Sequence, residues 1–298
     1  MSNVKLIILF VFISFALLPV QDIFSQKSME RTWQKDLEKV RIISYNILNG
    51  FDNLTDTDRM NRMADWIREK DPEVLALQEL VGFKEKDLKE FAQLYGHPYV
   101  AIVKENGYPV GITSKRSIQI INKQVEGYWH GMMHVRTYGL DFIVTHLSPS
   151  DKDFRRKEAF KIISYIQENK LDSCLVMGDL NSLSPFDADE IETHIQVADQ
   201  YKFGTIDYSV QSIFLSLPLI DVCRLYTLPE ERTTFPTRIL SSVSKRRNMH
   251  KVQGERLDYI FVTPSILDKC VDGFIWNGED TDYLSDHYPV GIDMMLKK

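Results

Sequence analysis

Cys174-Leu175-Val176-Met177-Gly178-Asp179-Leu180-Asn181 is the stretch from which the fold can be read. An apolar run of this kind wants burial on both faces, as a central strand offers. A carboxylate at its tip is costly to bury alone and belongs in a shared polar cleft. The same grammar recurs along the chain. R-I-I-S-Y (41–45) runs into Asn46, V-L-A-L (74–77) into Gln78-Glu79, and D-F-I-V-T (141–145) into His146. Near the C-terminus the order inverts, and Ser285-Asp286-His287 opens into Y-P-V-G-I (288–292). Strand tips lying side by side would build one carboxylate-rich cleft with two histidines, a composition suited to a hard metal ion and phosphate chemistry.

The 298 residues suffice for one large or two medium domains, and 44% apolar with 26% charged residues is ordinary for a globular chain. A net charge of −6 counts against tight, non-specific coating of nucleic acid. It leaves open a hydrolase that meets a phosphodiester locally through a metal. Lys5 precedes L-I-I-L-F-V-F-I-S-F-A-L-L-P-V (6–20), the length of a signal-peptide core and shorter than a spanning helix of roughly 20 residues. Residues 1–25 are therefore expected to be a cleaved signal peptide, giving a secreted or periplasmic protein; the alternative is an uncleaved N-terminal membrane anchor. Residues 26–39 read as a linker and 40–298 as one domain. Cys174, Cys223 and Cys270 lack metal-site or redox spacing; Cys174 and Cys223, each in a strand-like run, read as small buried hydrophobes. One disulfide is possible in an oxidising compartment, its pair unspecified.

Periodicity predicts strands at 40–45, 74–77, 99–103, 109–114, 118–125, 132–137, 141–145, 175–177, 257–262 and 288–294. Helices are predicted at 57–70, stopped by Asp71-Pro72, at 83–95 and at 154–168. A short acidic helix is expected near 187–194, and 213–222 is an apolar run. Residues 241–251, with Lys245, Arg246, Arg247 and Lys251, read as a basic surface loop.

The series S-Y-N, L-Q-E, T-H-L-S-P-S-D, G-D-L-N, R-L-D-Y and S-D-H, in that order between residues 40 and 295, resembles the endonuclease/exonuclease/phosphatase superfamily, with its deoxyribonuclease I-like fold. Each tripeptide alone is a weak signal; six in order are a strong one. The resemblance implies an α/β, four-layered sandwich: two central mixed β-sheets flanked by helices, with the site at one sheet edge. It implies Glu79 as the main metal ligand, with Asn46 and Asp286 beside it. It implies Asp179 as the group that orients or deprotonates water, Asn181 as a phosphate- and water-positioning amide, and His287 as a phosphate contact oriented and charged by Asp258. His146 takes the place of the general acid of the deoxyribonuclease-like branch. His130 lies where those relatives carry a phosphate-contacting Arg, and a strand-surface role is its rival; His134 has less support. Tyr128-Trp129 reads as an aromatic core pair.

Read singly, each of these residues has a structural alternative: Asn46 and Asn181 as turn or cap residues, Asp179 as an Asx-turn, Asp258 as a buried acid on a backbone amide. Those alternatives do not explain why all the strand tips are polar. The expectation is a metal-dependent phosphoester hydrolase, nuclease-like, using Mg2+ with Mn2+ or Ca2+ as alternatives. Its partner would be a nucleic acid, a phospholipid head group or a small phosphodiester, with no protein partner evident. A sphingomyelinase-like or inositol-phosphate-type enzyme, or a binding protein on the same scaffold, are the other readings.

Overall fold

The structure, a computed structural model, describes residues 36–192, 201–202, 205–240 and 254–298. The expected signal peptide, most of the linker and the basic loop lie outside these. Among the described residues, Lys39–Leu296 belong to one compact unit.

In chain order the elements are β1 (Leu37–Asn46), α1 (Thr57–Lys70), β2 (Val74–Gln78), α2 (Glu85–Gln93), β3 (Tyr99–Ile102), β4 (Gly111–Ser114), β5 (Gln119–Gln124), β6 (Met132–Thr137), β7 (Leu140–His146), α3 (Lys152–Glu168) and β8 (Cys174–Asp179). Then follow α4 (Ala188–Glu192), the two-residue strands β9 (Tyr201–Lys202) and β10 (Thr205–Ile206), α5 (Ser209–Ser216), β11 (Ile220–Asp221), α6 (Val222–Tyr226), β12 (Asp258–Val262), β13 (Cys270–Ile275) and β14 (Val290–Lys297). Two six-stranded sheets carry the fold, in the orders β13-β14-β1-β2-β4-β3 and β11-β12-β8-β7-β6-β5. The pairs β1–β2 and β7–β8 are parallel, and each is bridged by a helix, α1 or α3. Such a crossover is what a parallel pair requires.

Alternation along the strands builds the layers. Val40, Ile42, Val74, Ala76, Phe142, Val144, Leu175, Met177, Ile260 and Ile292 share the core between the sheets. The alternate residues Ile43, Tyr45, Leu75 and Leu77 pack with Met63 and Ile67 of α1 and Phe91 of α2. On the other sheet Ile143, Val176 and Phe261 pack with Ile162 of α3 and Phe214 of α5. Helix, sheet, sheet, helix is the four-layered α/β sandwich expected from the sequence. Gly178 must be glycine here: with φ +143, an added Cβ would lie 1.9 Å from the Thr145 carbonyl oxygen.

Three features differ from the sequence reading. The apolar run 213–222 is not one element: α5 ends at Ser216, β11 covers two residues, and α6 begins at Val222 with Asp221 as its N-cap. Cys223 therefore sits on a helix, not a strand. All three cysteines are free and buried. Strand β13 carries Asp272-Gly273 at its centre and a register shift between Cys270 and Asp272, which hides its period. Finally, Leu48–Leu54 winds left-handed, with φ between 50 and 66 at all seven residues. Left-handed backbone costs ~1–2 kcal/mol for each L-residue with a Cβ. Gly50 escapes that cost, and a Cβ there would lie 2.1 Å from the Val81 carbonyl oxygen.

Candidate active site

Register brings the polar tips to one edge. Asn46 pairs with Gln78 at the ends of β1 and β2, His146 pairs with Asp179 at the ends of β7 and β8, and Asp258 at the start of β12 faces Asp179. At this edge the Asn46 amide links the two sheets. Asn46 Nδ2 donates to Asp179 Oδ2 at 3.1 Å and to Glu79 Oε1 at 3.4 Å. Asn46 Oδ1 accepts from the Leu48 N–H at 3.2 Å, which decides which way the amide points. The Asn46 amide thus bridges two carboxylates, beside Glu79, the expected main metal ligand. Ser285 Oγ donates to the Asn46 carbonyl at 2.6 Å and joins the C-terminal loop to the same tip.

Asp179 is the hub. Its Oδ1 accepts from the Asn181 N–H at 2.9 Å, while its Oδ2 lies 3.4 Å from His146 Nε2 and 3.6 Å from His287 Nε2. The other ring nitrogen of His287, Nδ1, is 2.8 Å from Asp258 Oδ2. Burial alone would drive the His287 proton off, but Asp258, Asp179 and Asp286 more than offset it and hold the imidazolium well above the usual histidine range. Asn181 leaves the extended path of β8 just beyond Asp179. It adopts φ 47, and its side-chain Nδ2 donates to the Leu147 carbonyl at 3.0 Å.

Glu79 also takes left-handed backbone, φ 61, and its Oε2 accepts from the Asn49 N–H of the left-handed turn at 2.8 Å. Burial, then the nearby Asp286, pushes its carboxyl up to about 7. Asp286 is raised too, first by burial and then by Asp179, with His287 opposing. Crowded carboxylates that resist ionisation in the absence of a cation fit a divalent metal, whose charge would reverse the shift. The oxygen donors of Glu79 and Asp286 are the ones such a hard cation takes. Asp179, Asp258 and His287 also have donor atoms within 4.8 Å of one another. That trio suits a metal less well, because its imidazole is already engaged as a cation by Asp258. Asp258 Oδ1 is buried without a partner among the described residues.

His130 is not a strand-surface residue. It is buried and stacks on His146, with ring centroids 4.2 Å apart and planes at 27°. Burial first, then each ring's neighbours (His146 for His130; His287 and Arg155 for His146), lowers both to about 3, so both are neutral near pH 7. His130 Nε2 and His146 Nδ1 are buried without partners among the described residues. Tyr108, which the sequence reading did not single out, has its ring centroid 5.5 Å from that of His130 and is 41% exposed. Tyr128 is buried as expected, but Trp129 is exposed and lies against Phe154. His134 stands apart, bonded to Asp141 and Tyr165.

Two buried arginines support the site from behind. Arg59 on α1 donates to the Ile47, Leu48 and Leu284 carbonyls, at 2.8, 3.0 and 3.1 Å. Arg155 on α3 donates to the Ser148 carbonyl at 2.6 Å, to Pro149 at 3.0 Å and to Asn181. Neither was found from sequence. Arginine in the opening turns of a helix after an acidic N-cap is the signal that could have drawn attention to them.

No curated protein matches this chain. Solved structures do. An AP endonuclease from Archaeoglobus fulgidus is 19% identical with a TM-score of 0.62, over 85% of this chain and 98% of that one. The 3'-5' exonuclease NExo from Neisseria meningitidis is 19% identical with a TM-score of 0.65, over 86% and 99%. An endonuclease/exonuclease/phosphatase family protein from Bacteroides thetaiotaomicron is 18% identical with a TM-score of 0.60, over 88% and 96%. These likenesses establish the fold. With the family model matching residues 43–287, the chain belongs to the Endonuclease/Exonuclease/phosphatase family.

Proposed function

We propose that the protein is a divalent-cation-dependent phosphodiesterase, nuclease-like, that hydrolyses its substrate by in-line attack of water. The observation that carries this reading is the Asp179 carboxylate set between two imidazole Nε2 atoms, one of them on the buried Asp258–His287 ion pair. A carboxylate beside a fixed positive charge can take a proton from water while that charge meets the phosphoryl oxygens. Asp179 takes the proton of the attacking water as the new P–O bond forms. The P–O bond to the leaving group breaks, and the leaving oxygen takes a proton from His146. His287 and Asn181 hold the phosphoryl oxygens. His146 is neutral in the free protein; an anionic phosphate beside it raises its proton affinity, so that it is charged when the leaving oxygen needs it. A divalent cation held by Glu79 and Asp286 would supply Lewis-acid polarisation of a non-bridging oxygen.

Among the described residues no helix is long and apolar enough to cross a membrane. The apolar segment at 6–20 supports export to the periplasm or medium. The test is a parallel assay of the chain lacking residues 1–25, with Mg2+, on plasmid DNA, RNA, sphingomyelin, inositol phosphates and bis-p-nitrophenyl phosphate. Hydrolysis that is abolished by EDTA and reduced at least ~10²-fold by Asp179→Ala or His287→Ala is expected. Full turnover in chelator, or variants within a few-fold of wild type, would refute it. A lipid or inositol phosphate cleaved in place of nucleic acid would replace the nuclease-like substrate and leave the chemistry standing.

A further inference from the structure

We propose that Glu158 is a positioning residue that sets the His130–His146 stack, and with it the edge of the site from which the leaving oxygen is protonated. The proposal rests on the hydrolase reading above and gives a role to a buried acid which that reading does not use.

Glu158 lies on α3 and its side chain is fully buried. Its Oε1 accepts the Trp129 N–H at 2.7 Å, and its Oε2 accepts the Ser148 N–H at 2.8 Å. Trp129 immediately precedes His130, and Ser148 follows His146 by two residues. One carboxylate therefore ties the two chain segments whose side chains stack. The segment beyond His146 is held a second time, since Arg155, one turn earlier on the same helix, donates to the Ser148 and Pro149 carbonyls. Helix α3 is anchored in turn, with Asp151 as N-cap accepting from the Phe154 N–H at 2.9 Å and Ser148 Oγ accepting from the Asp151 N–H at 3.1 Å. A buried acid is an expensive way to fill space. What it offers over an apolar side chain is two acceptors at fixed separation, which set two loops in register. His130 Nε2 and His146 Nδ1 have no partner among the described residues, and the His146 Nε2 contact with Asp179 Oδ2 is long, at 3.4 Å. The main chain on either side therefore carries much of what sets the ring positions.

The test compares leaving groups. A p-nitrophenolate leaves without a proton, whereas an alkoxide leaving group needs one. Glu158→Gln is isosteric but keeps one acceptor in place of two. It should lower kcat about tenfold on the alkoxide-leaving substrate that wild type cleaves best, and no more than about threefold on bis-p-nitrophenyl phosphate. On a His146→Ala background the same substitution should add less than about twofold, because its effect passes through that ring. Equal losses on both substrates, or full additivity with His146→Ala, would reduce Glu158 to a structural residue and overturn the proposal. If Glu158→Gln does not yield folded protein, the same ratios are read on Glu158→Asp. The histidine ring resonances provide a readout independent of turnover. Those of His130 and His146 should move in the variant, while those of His97, which is bonded to Thr113 and the Pro72 carbonyl, stay fixed. Unmoved His130 and His146 resonances sink the proposal even in an inert protein. A wild type inert on every substrate sinks the hydrolase reading instead.

Discussion

Replacing Asp258 by asparagine keeps the shape of the buried side chain and removes its charge. The contact at stake is the 2.8 Å approach of Asp258 Oδ2 to His287 Nδ1. Both charges are spread over their groups, so a separation of ~4 Å and an effective dielectric of ~20 give ~4 kcal/mol of attraction. At ~1.36 kcal/mol per factor of ten, that is about three decades in the ratio of imidazolium to imidazole. Asp179, 3.6 Å from Nε2, remains and offsets part of the loss. The direction follows from the environment. Burial pulls the His287 proton off and the carboxylates hold it on, so removing one carboxylate lowers the pH at which the proton leaves. Asp258→Asn should therefore cost ~10²-fold in kcat/KM around pH 8 and progressively less toward acid, where the ring regains its charge. The assay is the pH profile of both proteins on one phosphodiester at saturating Mg2+, with melting curves to verify folding. A deficit independent of pH, or smaller than about threefold throughout, would show that Asp258 does not hold the His287 charge.

Chelation should expose the repulsion around Glu79. Its carboxyl is raised from 4.5 to about 7, so the folded, metal-free protein binds a proton that the unfolded chain has released, and stability falls as pH rises through that interval. Melting in EDTA should drop between about pH 5 and 7, and Mg2+ should recover more at the upper end; a flat curve with a constant Mg2+ increment would contradict the crowding. Gly178→Ala should force β8 away from the Thr145 carbonyl, directly behind the His146–Asp179 pair. Chemical unfolding should show a loss of at least ~2 kcal/mol, with turnover falling in parallel, and a variant as stable as wild type would mean that the strands can part without cost. Phe142→Ala, in the shared core and fully buried, should cost ~3–5 kcal/mol in the same assay.

What was legible in the sequence was local. An apolar run ending in Asp179, His146 or Glu79 declares a strand and its tip within a few residues, and the layered architecture follows from how many such runs there are. The pairing of Asn46 with Asp179 spans 133 positions, and no local pattern encodes it; the order of the motifs could suggest it only through resemblance. Backbone conformation was hidden as well. Nothing in F-D-N-L announces left-handed φ, and nothing in G-D-L-N announces the φ of 47 at Asn181. Strand β13 was missed because Asp272-Gly273 resembles a turn. Arg59 and Glu158 escaped because their partners are main-chain groups of distant loops, and a charged residue on a helix otherwise reads as solvated surface. Trp129 and Tyr128 looked alike in sequence, and only the packing of α3 separates the exposed ring from the buried one.

The amide of Asn46 that spans the two sheets has a consequence for how this protein fails. Each sheet brings its own crossover helix and its own arginine brace, so each half of the cleft is rigid in itself. What sets their mutual alignment is the oily filling to which Ile42 and Met177 both contribute. A cavity or an extra methylene there lets one half creep past the other, and the first thing to drift is the gap between Glu79 and Asp179. Interior damage far from any polar residue should then appear as lost turnover in a chain that is still fully folded, which makes the greasy middle of the sandwich the gauge that keeps the chemistry in tolerance.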